Sequence, residues 1–220
     1  MDVMLELEHL NKLAKEDPTR RFNRLYRLLR QEQFLMQAKE RIAHNKGANT
    51  PGVDGQIMDD ITPEDIAQLS QELTSNSYQP QPVQRRHIPK RNSDKSRPLG
   101  LPTARDKIIQ SGVALILNAL YEPLFRRCSH GFRQNHSPIT AIRQVSSAYR
   151  AGATWIVEGD IANCFDEICP RLLRHFLKKR IQDKALLDLV TRMLNCGIWE
   201  DGQVTYPKEV QLRGRWSALC

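Results

Sequence analysis

The sequence predicts an α+β fold, and three features of its patterning predict it. Most of the chain repeats apolar residues at three- and four-residue spacing, as amphipathic helices do. Two short extended segments, 83–89 and 97–102, flank a polar turn and read as a β-hairpin. One run, 155–161, is apolar on both faces and reads as a buried strand.

Leu5, Leu7, Leu10 and Leu13 predict a short helix over 3–15. Asp17-Pro18-Thr19 punctuates it, with Asp17 suited to an N-cap and Pro18 to a first helical turn. Phe22, Leu25, Tyr26 and Leu29 then share one helical face, flanked by Arg21, Arg24, Arg27 and Arg30, and the pattern continues to Ile42. Residues 45–55 (NKGANTPGVDG) form a loop, and Thr62-Pro63-Glu64 starts a helix carrying Ile66, Leu69 and Leu73. After the hairpin come a long helix over 104–126, a loop over 129–137, a helix over 138–151, the strand, and helices over 170–181 and 183–195.

Composition narrows the function class. Of 220 residues, 33 are Lys or Arg and 25 are Asp or Glu, a formal charge of +8 that favours a polyanionic partner. The five cysteines form no CxxC pair, which together with their odd number points to reduced thiols and a cytoplasmic location. No apolar run approaches the ~20 residues that span a bilayer; the longest, Val113 to Leu120, is interrupted by Asn118, so a membrane partner is not expected.

Two constellations carry chemistry. Arg85, Arg86, His87, Lys90, Arg91, Lys95 and Arg97 lie within thirteen positions on extended backbone, where a basic ribbon can lean over a phosphate chain. The plainer alternative is a hydrophilic turn. Asp160 ends the apolar run, with Asp166 and Glu167 just beyond it. A carboxylate at a buried strand end suits a hard cation; the residues alone favour an aspartate that caps the next turn. The helical arginines serve equally as a solvated face or as an RNA contact.

A resemblance joins these pieces. Lys46-Gly47 with Thr50-Pro51-Gly52-Val53-Asp54-Gly55, then Arg86-His87-Ile88-Pro89-Lys90 and Arg97-Pro98-Leu99-Gly100-Leu101-Pro102-Thr103-Ala104-Arg105-Asp106-Lys107, resemble blocks of group II intron-encoded reverse transcriptases (maturases). Ser129-His130-Gly131-Phe132-Arg133 and Val157-Glu158-Gly159-Asp160-Ile161, followed by Phe165-Asp166-Glu167-Ile168, resemble two more, in order. The resemblance implies a right-hand polymerase fold: a helical N-terminal extension (1–45), fingers (46–150), the first part of a palm (151–210), and a tail (211–220) that departs from the pattern.

It also implies RNA-directed DNA synthesis with two Mg²⁺ ions, deoxynucleoside triphosphates, an RNA template with DNA primer, and intron RNA as partners. By position, Asp160 is the catalytic, metal-binding aspartate, and Ile161 lends its carbonyl to the metal. Lys90, Arg97 and Phe165 meet the nucleotide, while Arg21, Arg24, Arg27, Lys46, Arg85, Arg86 and Arg133 touch RNA.

Cys164 and Gln134-Asn135-His136 depart from the pattern, and the later blocks with two further aspartates are absent. The expectation is a chain inactive by itself, or completed by a second polypeptide. Reading 211–220 in a shifted frame, with permitted codons, restores a Q-G-A-L-V-S-P-L block, which motivates a frameshift hypothesis. The alternatives are a non-enzymatic RNA-binding remnant, a decayed gene product, and another polymerase class, which fits the motifs less well.

Overall fold

The computed structural model describes residues 3–89, 96–161 and 169–206. The fold is α+β, with helices gathered around one long central helix and a small mixed sheet at its N-terminal end.

That central helix is α5 (Ala104–Tyr121). It is apolar nearly all round, so it is buried nearly all round: Ile108, Ile109, Val113, Ile116 and Leu120 are each fully enclosed. Helices α1 (Val3–Glu16), α2 (Tyr26–Leu29) and α3 (Glu32–Ala43) pack on it, and α4 (Pro63–Thr74) packs on α3. The sequence expectation for α5 ran to 126. Instead α5 gives way to a 3₁₀ turn at Glu122–Leu124, because Pro123 lacks the N–H that an α-helix needs.

Several starts are legible in the chain. Thr62 caps α4, accepting a hydrogen bond from the Asp65 N–H while Asp65 accepts one from the Thr62 N–H. Thr103 caps α5 through Asp106, and Asp183 caps α8 (Lys184–Asn195) through Leu186.

Three expectations fail. The single helix over 22–42 is broken. Phe22 is extended, donating to Arg180 O at 2.7 Å and accepting from Gln182 N–H at 2.8 Å. Arg24 stands at φ +57° with its N–H held by Asn23, and the N–H of Tyr26 goes to Asp183. Amphipathic periodicity was right about the face and wrong about continuity. Asp17 caps no helix; its carboxylate takes both the N–H and the hydroxyl of Thr19 in a tight turn. The apolar run 155–161 is not a buried strand. It pairs with no strand among the described residues, and Trp155, Ile156 and Val157 are 91%, 82% and 96% exposed. A strand forms only against a partner.

The sheet runs β2 (Ser96–Leu101), β1 (Val83–Pro89), β3 (Ile198–Glu200), β4 (Gln203–Thr205). β1 pairs antiparallel with β2, the anticipated hairpin, and parallel with β3. β3 and β4 were not anticipated. Their turn, Asp201-Gly202, has φ of +49° and +81°, which suits a two-residue hairpin. Helices α6 (Pro138–Arg150) and α7 (Pro170–Lys178) complete the described chain.

Candidate nucleic-acid interface

The hairpin register divides the basic cluster in two. Arg86 stands opposite Leu99 and Ile88 opposite Arg97, so these four side chains share one face of the ribbon. Arg85 and His87 point to the other face, and both meet Glu200 of β3, at 3.2 Å and 3.6 Å. One arginine is thus tied into the sheet, and its neighbour is turned to a cavity.

That cavity, about 700 Å³, lies between the ribbon and the loop that follows α3. Arg86, Ile88, Leu99 and Leu101 line it from the ribbon; His44, Lys46 and Thr50 line it from the loop; Lys107 lines it from α5. Among the described residues, no aspartate or glutamate lines it. Lys107 is 3% exposed, and its Nζ donates to Gly47 O at 2.9 Å and Thr50 O at 2.6 Å. Burial pulls its ammonium below the usual lysine range, with Asp54 opposing. Gly52 lets the loop approach α5: a Cβ there would stand 2.7 Å from the Thr103 nitrogen.

A second, polar cavity of about 600 Å³ is lined by Tyr78, Gln81, Thr103, Arg105 and Asp106, among others. Asp106 is 4% exposed. Its carboxylate accepts the Tyr78 hydroxyl and the Gln81 N–H. Desolvation lifts its pKa to about 6 against those hydrogen bonds.

The motif over 86–107 thus has its residues on adjoining elements, the ribbon and α5. The sequence family described as "Reverse transcriptase (RNA-dependent DNA polymerase)" matches residues 88–213. The chain belongs to the reverse transcriptase family.

One of its relatives is a group II intron-encoded protein. This reverse transcriptase chain is 40% identical over 201 residues to "Group II intron-encoded protein LtrA" of Lactococcus lactis subsp. cremoris, covering 91% of this chain and 33% of that protein. It is 36% identical over 191 residues to "Protein YkfC" of Escherichia coli, covering 84% and 50%. The chain therefore spans a third to a half of the length of these two relatives. A solved chain of a "Partial Cas6-RT-Cas1--Cas2 complex" shares the fold, at a TM-score of 0.56 and 22% identity, over 86% of this chain and 31% of that one.

The remaining expected site residues fall into distinct settings. Lys90 and Phe165 lie outside the described residues, as do Asp166, Glu167 and the tail from 207. Lys46 and Arg86 meet at the cavity, and Arg97 shares the face of Arg86. Arg21 and Arg24 are exposed, whereas Arg27 is paired with Glu6. Arg133 turns inward: Nε and Nη2 donate to Glu122, and Nη1 donates to Ser129 O and Arg126 O. Its side chain, 10% exposed, clamps the loop before α6 and leaves little guanidinium for RNA.

Asp160 is exposed, its Oδ1 accepting the Ile161 N–H at 2.9 Å. Magnesium takes oxygen donors, commonly one or two carboxylates with substrate phosphates and water. The Asp160 carboxylate and Ile161 carbonyl fit it in kind, as part of a ligand set. Among the described residues, no group of three or more Asp, Glu, His or Cys gathers for a metal. Likewise, no described helix is long and apolar enough to cross a membrane.

Sequence reasoning missed His44 and, although Lys107, Leu99 and Leu101 stand within the matched block, gave them no role. One signal was available: a helix that is apolar nearly all round must bury its polar residues too, so Asp106 and Lys107 had to have partners.

Proposed function

We propose that the chain is the fingers and first palm portion of a group II intron-encoded reverse transcriptase, holding RNA template at the cavity between the ribbon and the loop of residues 44–50. The cavity lined by Lys46, Arg86 and Lys107, with no acid among its described lining residues, carries this reading. Three cations converge there on an apolar floor, the chemistry that takes a phosphate chain beside a base. Residues 1–45 are the helical extension, in which Arg21 and Arg24 are available to intron RNA.

In the reaction, Arg97 and Lys90 would hold the triphosphate of the incoming deoxynucleotide. Phe165 would lie under its sugar and disfavour a 2′-hydroxyl. Asp160 and the Ile161 carbonyl would hold magnesium, which supplies charge stabilisation for phosphoryl transfer when bound. Asp160 is a single carboxylate, and the family's transfer uses more. The 220 residues by themselves are therefore expected to bind RNA without extending a primer, and a second polypeptide or continuation would supply the other ligands.

The test is RNA binding by fluorescence anisotropy over a salt series, with a primer-extension assay alongside. Affinity should fall steeply with salt and fall again in Arg86→Glu. Salt-insensitive binding, or an unaffected Arg86→Glu, would overturn the reading. Extension by this chain alone would overturn the division of labour proposed for the palm.

A further inference from the structure

Helix α7 carries a basic face that the proposed site does not use. From Cys169 to Gln182 the chain has no aspartate or glutamate, but has six Lys, Arg or His residues within 171–180. The fold sorts these by direction. Arg174 turns inward to Asp188, Leu187 O and Thr191, each at 2.6 Å. Arg180 is buried, donating to Leu120 O at 2.8 Å. Arg171, His175, Lys178 and Lys179 are exposed, and among the described residues no salt bridge engages them. At 3.6 residues per turn these four fall on one arc of the helix, with Leu172 and Phe176 along its edge.

Phe176 is 50% exposed. Lys179 Nζ sits 5.0 Å from its ring centroid, and His175 meets the ring edge-on at 6.0 Å. The ring is thereby held at the surface between an ammonium and an imidazole. Arg171 and His175, and likewise His175 and Lys179, are four residues apart, about 6 Å along the axis. That step is comparable to the spacing of successive phosphates along an extended strand.

We propose that the outer face of α7 is a second RNA-binding surface, on which Arg171, Lys178 and Lys179 hold phosphates of a single strand and Phe176 stacks a base. The proposal rests on the reading of the chain as an RNA-binding protein and adds a contact away from the ribbon. An anionic membrane would also attract a basic amphipathic helix. The apolar part of this face is only Leu172 and Phe176, too small to immerse, whereas an aromatic set among cations suits a base with its phosphates.

The experiment compares Lys178→Glu/Lys179→Glu and Arg86→Glu/Arg97→Glu with the unaltered full chain, using fluorescein-labelled polyuridine. A 5-iodouridine crosslink to the unaltered protein is mapped by mass spectrometry. The expected result is about tenfold weaker binding by the α7 variant, a salt slope shallower by about 1.4 for two lost phosphate contacts, and a crosslink at Phe176. Unchanged affinity and slope in the α7 variant, with the ribbon variant still weakened, would overturn the proposal and leave the proposed function standing. If neither variant changes binding, both readings fall. Co-sedimentation with phosphatidylserine vesicles in place of RNA binding would also overturn it. Should the variant melt early by circular dichroism, the crosslink position on the unaltered chain decides.

Discussion

The ammonium of Lys107 donates to the Thr50 carbonyl at 2.6 Å, joining the first turn of α5 to the loop that closes one wall of the basic cavity. Its bond to Gly47 O does the same one turn earlier. Replacing it by methionine keeps much of the volume but strands both carbonyls. Lys107→Met should cost roughly 1–3 kcal/mol in urea unfolding and weaken RNA binding, since the loop bearing Lys46 loses its anchor. Unaltered stability would mean that the carbonyls find other partners.

The ribbon gives a paired test on adjacent residues. Arg86→Glu should weaken RNA binding and lower the salt slope, because Arg86 faces the cavity. Arg85→Ala removes a partly exposed bridge to Glu200 and should cost about 0.5–1 kcal/mol of stability with little change in salt slope. Anisotropy titrations read both; equal effects on binding would contradict the register.

Asp106 predicts a pH dependence with a definite sign. Its folded pKa of about 6 lies above its ordinary 3.8, so folding favours its protonated form. That contribution is fully present below about pH 4 and is lost as pH rises through about 6, a change of roughly 3 kcal/mol. Asp17, Asp65 and Asp188 are held below the usual carboxylate range by their hydrogen bonds and act with the opposite sign, at lower pH. Asp106→Asn keeps an acceptor for Tyr78 and does not titrate. The stability difference between wild type and Asp106→Asn should therefore shift toward the variant between pH 4 and pH 6.5. A flat difference would refute the burial argument.

Arg180 fastens the N-terminal segment. Its guanidinium donates to the carbonyls of Leu120, Arg20 and Asp17, and lies over the rings of Phe22 and Tyr121 at 5.4 Å and 5.8 Å. Arg180→Met should lower stability by about 2 kcal/mol and raise hydrogen exchange at Phe22 and Gln182, whose amides bridge the two segments. Unchanged exchange there would show that the bridge stands without the arginine.

Much of the secondary structure was legible because its causes are local. Thr62-Pro63-Glu64 favours a helix start through its own side chains, and the extended segments on either side of 90–95 pair as expected. The break in the helix predicted over 22–42 has a long-range cause. Phe22 and Tyr26 give their N–H groups to Arg180 and Asp183, more than 150 residues away, and no local pattern discloses such a partner. The run 155–161 reads as a strand by composition, yet strand formation is a property of a pair.

The candidate site divides in the same way. The sequence by itself determined the family, the mixed α+β class and the basic ribbon, since ordered motifs and periodicity are written in one dimension. Only the tertiary structure decided which cations serve the cavity. Alternation along β1 sends Arg85 to Glu200 and Arg86 to the cavity; Arg133 closes on Glu122; and Lys107, unremarkable in the chain, becomes part of the wall. A charge becomes a binding group or a structural one according to which carboxylate or carbonyl the fold brings within hydrogen-bonding reach. That distance is settled by long-range packing rather than by neighbouring residues.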